Sequence, residues 1–298
     1  MTQPPSAARA AQRSALQTPS GSYAMLALDQ RESLRGMFPR NPDDGFVDDD
    51  TLRRFKSAAL EVLSPYASAV LLDRPFALGT GVPPAGLAEN CALIAAVDVL
   101  HQLPGQDITD VTFDELVTPT LLASLGAVAV KVLVLWRRDS GADERAELVK
   151  RTLDLASTAG VLSLVEGIVR PAPGTRWASA EERHAAILDC ARELAAFHPD
   201  IYKAEVPGYV PGDLSAVAEQ SARMSEIVGG DWVILSNGVE RDAFPDALAE
   251  ARKGGVGGFL AGRAVWADTV KDVDVTAALR ERSVSRLERL TEILASSG

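Results

Sequence analysis

Charged side chains interrupt several apolar stretches of this sequence, and their types suggest covalent chemistry. Lys131 lies within AVAVKVLVLW, Glu166 within VLSLVEGIV, and both Lys203 and Glu205 within DIYKAEVP. Any one of these charges could belong to a structural ion pair. Burying all of them without a use is costly, so we interpret the group as functional.

A lysine and a carboxylate together can cleave a carbon–carbon bond. A protonated amine is no nucleophile, but desolvation and a nearby like charge, here Lys131, favour the neutral form. Lys203 would then attack a ketone to form a carbinolamine and an imine, and Glu166 would carry the protons that these steps require. The iminium would act as an electron sink for cleavage of the adjacent bond.

Neither a metal nor an organic cofactor is expected. His101, His184 and His198 are scattered, and none has a second His or Cys at ligand spacing. Cys91 and Cys190 cannot form a disulfide framework and are expected as buried free thiols. The covalent lysine route is therefore the one left open to an aldolase.

Small and basic residues end the last two apolar stretches. Ser236-Asn237-Gly238 and Ala261-Gly262-Arg263 could bind phosphate through backbone N–H groups and the arginine. The alternative is a pair of tight turns that need glycine.

An acid, an amide and a cation follow the first apolar stretch. Asp29, Gln30 and Arg31 suit a polyhydroxylated substrate with an anionic end, whereas the alternative is a helix cap by Asp29. Arg170, after VLSLVEGIV, could meet a second anionic group, although a surface position is the default for arginine.

Eight apolar stretches alternate with segments of helical periodicity, and their starts recur about every 34 residues, the spacing of a βα unit. We predict strands at 23–29, 67–73, 91–99, 127–136, 161–169, 200–207, 232–238 and 258–266. Helices are predicted at 49–63, 143–158, 179–197, 213–227 and 240–252, with a helical tail at 269–297. The predicted fold is a single α/β domain, a (β/α)₈ TIM barrel over residues 21–298, with residues 1–20 as a disordered extension.

The composition limits the partners and the location of the protein. The 298 residues carry a net charge of −11, which argues against nucleic-acid and anionic-membrane partners. The apolar stretches are too short to span a bilayer, and residues 1–20 do not resemble a secretory signal. We therefore expect a cytoplasmic protein with a small-molecule substrate, and a homo-oligomer because barrels of this size often assemble.

The chain resembles the class I (Schiff-base) aldolases of the tagatose-1,6-bisphosphate aldolase type, which include the bacterial sulfofructosephosphate aldolases. The matching segments are ALDQRESLRGMF (27–38), LSPYASAVLLD (63–73), VKVLVLWRRD (130–139), VEGIVRP (165–171), DIYKAEVP (200–207), WVILSNGV (232–239) and GFLAGRAVWA (258–267). SPYASA, LVLWR and GFLAGRAVWA are more similar to the sulfofructosephosphate branch. Gly167, where that branch is expected to have proline, and Asn237, where a second serine is usual, depart from it.

The resemblance implies roles for the candidate residues. Lys203 would be the Schiff-base lysine and Glu166 the proton-transfer carboxylate. Residues that would line the site and assist acid–base steps or contact hydroxyls are Asp29, Gln30 and Lys131. Residues that would hold the phosphate of a dihydroxyacetone-phosphate half are Ser236, Gly238, Gly262 and Arg263. Gln30 and Arg31 are candidates for the far anionic end.

The resemblance implies that the substrate is a sugar phosphate, 6-deoxy-6-sulfofructose 1-phosphate. Its cleavage would give dihydroxyacetone phosphate and 3-sulfolactaldehyde. An alternative is a tagatose or fructose 1,6-bisphosphate aldolase that releases glyceraldehyde 3-phosphate. A third hypothesis is a non-catalytic sugar-phosphate sensor, which would need the phosphate loops but not Lys203 with Glu166.

Overall fold

Apolar runs form the strands of a closed parallel barrel in the computed structural model, which describes residues 7–40, 45–79, 81–138 and 140–296. In chain order the strands are β1 (Tyr23–Leu28), β2 (Ala69–Leu72), β3 (Ala92–Ala96), β4 (Asp98–His101), β5 (Asp110–Phe113), β6 (Ala129–Trp136), β7 (Leu162–Val169), β8 (Ile201–Glu205), β9 (Asp231–Leu235) and β10 (Gly258–Ala261). Eight of them pair in the order β1-β2-β3-β6-β7-β8-β9-β10 and back to β1. The predicted TIM barrel is therefore confirmed, with a strand at each predicted stretch.

The helices lie outside the barrel or at its ends. They are α1 (Ala7–Ala15), α2 (Glu32–Arg35), α3 (Asp49–Leu63), α4 (Pro119–Leu125), α5 (Ala142–Ala159), α6 (Ala180–Ala195), α7 (Val217–Val228), α8 (Phe244–Lys253), α9 (Arg263–Trp266), α10 (Val275–Ala278) and α11 (Val284–Ala295). Two hydrogen bonds cap the start of α6. Ser179 Oγ accepts one from Glu182 N, and the Glu182 carboxylate accepts one from Ala178 N. The predicted tail helix at 269–297 is interrupted, because the separate helix α10 begins after Asp274. The Asp274 side chain caps α10 by accepting a hydrogen bond from Ala277 N.

Along its axis, the barrel interior has an apolar layer, a charged layer and a second apolar layer. Residues such as Met25, Leu164 and Ile201 form an apolar cluster at the N-terminal end of the strands, here called the lower apolar cluster. Because side chains alternate along a strand, Glu166 on β7 follows Leu164 on the same face. Ile168 packs with Leu133 and Leu235 in a second apolar cluster nearer the C-terminal end of the strands, here called the upper apolar cluster. The charged layer thus lies between two apolar ones.

An antiparallel hairpin, β4–β5, follows β3 and was not predicted. The predicted strand at 91–99 ends at Ala96, and Asp98 begins the hairpin. Leu100 and Ile108 pack against the upper apolar cluster of the barrel. The loop between β4 and β5 docks on the turn after β1, where Gly105 N donates to Glu32 O over 3.1 Å.

The N-terminal segment differs from the disordered extension that was expected. Its described part forms α1, and Arg13 makes ion pairs with Asp200 and Asp231 at the N-terminal ends of β8 and β9. Leu16 is fully buried in the lower apolar cluster, and its carbonyl accepts from Ser68 Oγ over 2.7 Å. Residues 7–15 therefore form a helix where the sequence predicted a disordered extension, and residues 1–6 lie outside the described residues. No helix in the described ranges is long and apolar enough to cross a membrane.

Candidate active site

A cavity of about 620 Å³ opens at the C-terminal ends of the barrel strands. Its wall brings together six of the residues predicted from sequence, namely Asp29, Gln30, Glu166, Arg170, Lys203 and Arg263. The hairpin loop supplies the facing wall, from Gln102 to Ile108. This position agrees with the general rule that barrel enzymes build their sites from strand ends and the loops that follow them.

Lys203 and Glu166 lie side by side because β7 and β8 pair in that register. Lys203 Nζ is 3.0 Å from Glu166 Oε2. Both side chains are almost completely buried, yet both contribute to the cavity wall. The amine can therefore meet a ligand carbonyl while its neighbouring carboxylate exchanges protons with it.

Lys131 on β6 has different surroundings. Its ammonium lies 2.9 Å from Asp29 Oδ2, 3.1 Å from Asp98 Oδ2 and 2.8 Å from Glu166 Oε2. Burial alone would lower the pKa of Lys131, but the three carboxylates outweigh it and hold the pKa above its usual value. Lys131 is fully buried and does not contribute to the cavity wall, so it acts as a fixed cation beneath the site.

Asp29, at the end of β1, is the counterpart of Lys131. Burial would raise its pKa, but the charges of Lys131 and Lys203 outweigh that effect and hold the pKa well below its usual range. Asp29 therefore stays ionised in the cavity wall. An ionised carboxylate there can accept a hydrogen bond from a substrate hydroxyl.

Asp98 is the member of the charged layer that sequence reasoning missed. It is fully buried and accepts hydrogen bonds from Arg31 NH2 at 2.8 Å, Lys131 Nζ at 3.1 Å and Leu133 N at 2.8 Å. Its signal was present, because it is a charge within CALIAAVDVL, the same kind of interruption that marked Glu166.

Arg31 does not occupy the expected place at the far anionic end. Its guanidinium is buried against Asp98 and is absent from the cavity wall. In the described structure it is a positioning partner of the charged layer, since it balances a carboxylate that also holds Lys131. Gln30, its neighbour, does line the cavity.

A chain of polar contacts positions Arg263. Glu205, at the end of β8, accepts from Val169 N at 2.9 Å, Arg183 NH2 at 2.8 Å and Asn237 Nδ2 at 3.1 Å. Asn237 in turn accepts a hydrogen bond from Arg263 through its side-chain oxygen. Burial, together with nearby Arg170, lowers the pKa of Arg263, so an anionic ligand would relieve the cost of its buried charge.

The small residues beside Arg263 have clear structural reasons. A Cβ on Gly262 would lie 2.4 Å from Ala27 O, so glycine allows β1 and α9 to approach each other closely. Gly238 has a φ of +77°. Ser236 Oγ accepts from Ala264 N at 3.4 Å. These three residues adjoin the cavity wall in sequence but are not part of it, so their phosphate role stays a prediction.

Two features that sequence singled out belong to packing. A Cβ on Gly167 would lie 2.4 Å from Tyr202 OH and 2.6 Å from Cys190 Sγ. Gly167 therefore faces the helix layer rather than the cavity. Cys91 and Cys190 are free and buried, as predicted, and burial raises the pKa of the Cys91 thiol to about 12.

Within the described ranges, no group of His, Cys, Asp and Glu side chains could hold a metal ion.

The family model of the DeoC/LacD family aldolases matches residues 23–268 of this chain. The chain belongs to this family. It is a class I aldolase of the DeoC/LacD type, and hence a lyase.

Similar proteins agree with this family. Tagatose 1,6-diphosphate aldolase 2 of Enterococcus faecalis is 27% identical over an alignment 317 residues long, gaps included. The alignment covers 95% of this chain and 92% of the relative. Tagatose 1,6-diphosphate aldolase of Listeria monocytogenes is 28% identical over 292 residues, with 86% and 80% coverage. Fructose-bisphosphate aldolase from Slackia heliotrinireducens has the same fold, with a TM-score of 0.63 at 17% identity and coverage of 99% and 94%.

Proposed function

We propose that this DeoC/LacD aldolase uses Lys203 as its Schiff-base lysine. The observation that carries the proposal is the difference between the two lysines of the charged layer. Lys203 reaches the cavity and has Glu166 as its one ion-pair partner within the described ranges. Lys131 lies outside the cavity wall and is held by three carboxylates. A nucleophile must be accessible and able to lose its proton, and Lys203 meets both conditions better.

The proposed reaction assigns a proton transfer to each step. The neutral Lys203 amine attacks the C2 carbonyl of a ketose 1-phosphate, and Glu166 donates the proton with which the carbinolamine oxygen leaves as water. The C4 hydroxyl then gives its proton to the Glu166 carboxylate while the C3–C4 bonding electrons move to the iminium, which gives an enamine and an aldehyde. Glu166 returns this proton to C3 of the enamine. Protonation of the enamine at C3 and hydrolysis release dihydroxyacetone phosphate and restore the amine.

Arg263 is the proposed phosphate ligand of the dihydroxyacetone half. It is half-buried in the cavity wall and oriented by Asn237, which Glu205 holds in turn. A guanidinium in this setting can form charge-assisted hydrogen bonds to phosphate oxygens. Asp29 and Gln30 are left to contact the hydroxyl groups between the two ends of the substrate.

The first candidate substrate is 6-deoxy-6-sulfofructose 1-phosphate, with 3-sulfolactaldehyde as the second product. Besides Lys203, the described cavity wall carries two cations, Arg170 and Arg263. If Arg263 binds the phosphate, Arg170 alone remains for the far end. One arginine matches the single charge of a sulfonate better than the higher charge of a phosphate monoester. The similarity of GFLAGRAVWA and LVLWR to the sulfofructosephosphate branch supports the same choice.

Tagatose or fructose 1,6-bisphosphate is the second candidate, with glyceraldehyde 3-phosphate as the product. The observation that favours it is the similarity to two relatives that are named tagatose 1,6-diphosphate aldolases. The chemistry at Lys203 would be the same for both candidates, because both have the C2 carbonyl and the C3–C4 bond. Fructose 1,6-bisphosphate differs from the first candidate at C6, and tagatose 1,6-bisphosphate differs also in the configuration at C4. The cytoplasmic location and the homo-oligomer remain predictions.

Reductive trapping tests the proposed mechanism. Borohydride is added to the protein with dihydroxyacetone phosphate, and intact mass and peptide mapping follow. We expect one covalent adduct, on the peptide that contains Lys203, and none on the Lys203→Ala variant. An adduct on Lys131 would contradict the assignment. No adduct, with phosphate-ligand binding intact, would instead favour the sensor hypothesis.

A substrate panel tests the identity of the far end. Turnover is measured on the sulfonate and on both 1,6-bisphosphates under the same conditions. We expect the highest kcat/KM on 6-deoxy-6-sulfofructose 1-phosphate. Comparable turnover of the two bisphosphates, with none on the sulfonate, would exclude the first candidate and establish the second.

A further inference from the structure

The hairpin loop places a carboxylate beside an arginine of the cavity wall. Asp107 Oδ1 is 3.5 Å from Arg170 NH2, although the two residues belong to different βα units. Asp107 is 86% exposed, whereas Arg170 is 23% exposed. Both residues line the cavity. An anion that binds Arg170 must therefore share it with Asp107 or displace it.

Arg170 retains donors that a ligand could use. Its NH1 donates to Val169 O over 3.1 Å, but its buried Nε has no hydrogen-bond partner. A buried donor without a partner costs free energy, which a ligand oxygen would recover. Because the contact with Asp107 is long and exposed, it contributes little to stability.

Asp107 differs from the other carboxylates of the cavity wall. Asp29 and Glu166 are in contact with the buried lysines. Asp107 instead has Arg170 as its ion-pair partner. Its loop is anchored, since Gly105 N donates to Glu32 O and a Cβ on Gly36 would lie 2.3 Å from Gly105 Cα. The negative charge is thus built into the site.

We propose that Asp107 is a specificity-determining residue that selects a singly charged group over a doubly charged one at the C6 end of the substrate. The inference rests on the proposed function and deepens it. Asp107 offsets part of the charge of Arg170, so a sulfonate finds a balanced site while a phosphate dianion meets repulsion. The hairpin, rather than the barrel strands, would then decide which anion is accepted.

Two non-cleavable probes test this inference without requiring catalysis. Hexitol 1,6-bisphosphate and 6-deoxy-6-sulfohexitol 1-phosphate lack the carbonyl and cannot form an imine. Their Kd values are measured by calorimetry at about pH 8, where the phosphates are doubly charged. For Asp107→Asn, we expect the ratio of the two Kd values to shift about tenfold toward the bisphosphate, the size of one screened charge interaction.

Asp110→Asn is the matched control, because it removes the same charge from the same hairpin at an exposed position outside the cavity wall. It should leave the ratio unchanged. In an Arg170→Gln background, Asp107→Asn should shift the ratio far less, because the carboxylate acts together with the guanidinium. An equal shift in Asp107→Asn and Asp110→Asn, or a shift below about twofold, would overturn the inference.

The outcomes separate this inference from the proposed function. If the ratio shifts as expected but the wild-type protein cleaves neither ketose substrate, the proposed reaction fails and Asp107 keeps its role in ligand selection. If the protein cleaves a substrate but the ratio does not shift, the inference alone fails. If neither probe binds to the wild-type protein, both are overturned.

Discussion

The two ends of the barrel each carry basic residues paired with carboxylates, in different surroundings. At the C-terminal end, Lys131 and Lys203 meet Asp29 and Glu166 in a layer that is almost fully buried below a cavity. At the N-terminal end, Arg13 meets carboxylates across a surface that is about one-third exposed. The same residue classes thus face a ligand at one end and solvent at the other.

The difference shows why burial and access must be considered together. A partly exposed ion pair is screened and contributes little, whereas a buried one is costly to assemble and costly to break. The N-terminal cluster attaches α1 beneath the barrel. The C-terminal cluster keeps charges at defined protonation states beside an accessible amine. Substitutions at the two ends should therefore have effects of very different size.

The largest expected effect is that of Lys203→Ala. Cleavage should fall by at least about a thousandfold, because no other cavity-wall lysine in the described ranges could form the imine. Thermal unfolding should show that the fold is kept. Lys253→Ala, on the exposed end of α8, is the control and should leave turnover unchanged. Lys203→Ala turnover within about tenfold of wild type would mean that the charged layer does not provide the nucleophile.

Asp29→Asn is expected to act on both activity and stability. Loss of the charge next to Lys131 should reduce kcat/KM by about a hundredfold. It should also lower the free energy of unfolding by about 1.5–3 kcal/mol, the value of a hydrogen bond to a charged group. Asp231→Asn, the same change at the other end of the barrel, should leave kcat/KM unchanged. An equal activity loss in both variants would remove the contrast between the two ends.

The effect of Asp29 on stability has a defined pH dependence. Its pKa in the folded protein is below its usual value, so its contribution is present above the unfolded pKa of about 3.9 and is lost as pH falls through the folded pKa. The stability difference between wild type and Asp29→Asn should therefore be constant near neutral pH and shrink in acid. Denaturant unfolding at several pH values measures it. A difference that grows as pH falls would contradict the assigned shift.

Arg263→Ala should mainly weaken binding of the phosphate end. The expected loss is roughly 1.5–3 kcal/mol for a charge-assisted contact, seen as a higher KM with a smaller change in kcat. Arg252→Ala, in the last turn of α8, is a matched control away from the cavity. An unchanged KM would remove Arg263 from the phosphate site.

The barrel and all of the charged layer except Asp98 could be predicted from sequence for one physical reason. A parallel strand buried on both faces is apolar, so any charge within it stands out, as Glu166 and Lys203 did. Asp98 carried the same signal. The expected strand ran on to residue 99, whereas the chain leaves the barrel after Ala96 and enters the hairpin at Asp98. The hairpin, which was not predicted, is what places Asp98 in the charged layer.

The contacts that were missed depend on elements far apart in the chain. The direction of Arg31 is set by Asp98, which no local pattern in ALDQRESLRGMF reveals. The helix α1 lies in an alanine-rich segment without long apolar periodicity. Its place depends on Asp200 and Asp231, which become neighbours only when β8 and β9 pair.

The smallest expected effect is that of Arg13→Ala. Arg13 is 31% exposed, and its ion pair with Asp231 is open to solvent, so the free energy of unfolding should fall by no more than about 1 kcal/mol. The kcat and KM should match wild type, because the barrel separates α1 from the cavity. Leu16→Ala provides the contrast, since it removes a fully buried side chain from the lower apolar cluster and should cost about 2–5 kcal/mol. If Arg13→Ala lowered kcat while Leu16→Ala did not, the N-terminal end would have a role in the reaction that burial and access do not account for.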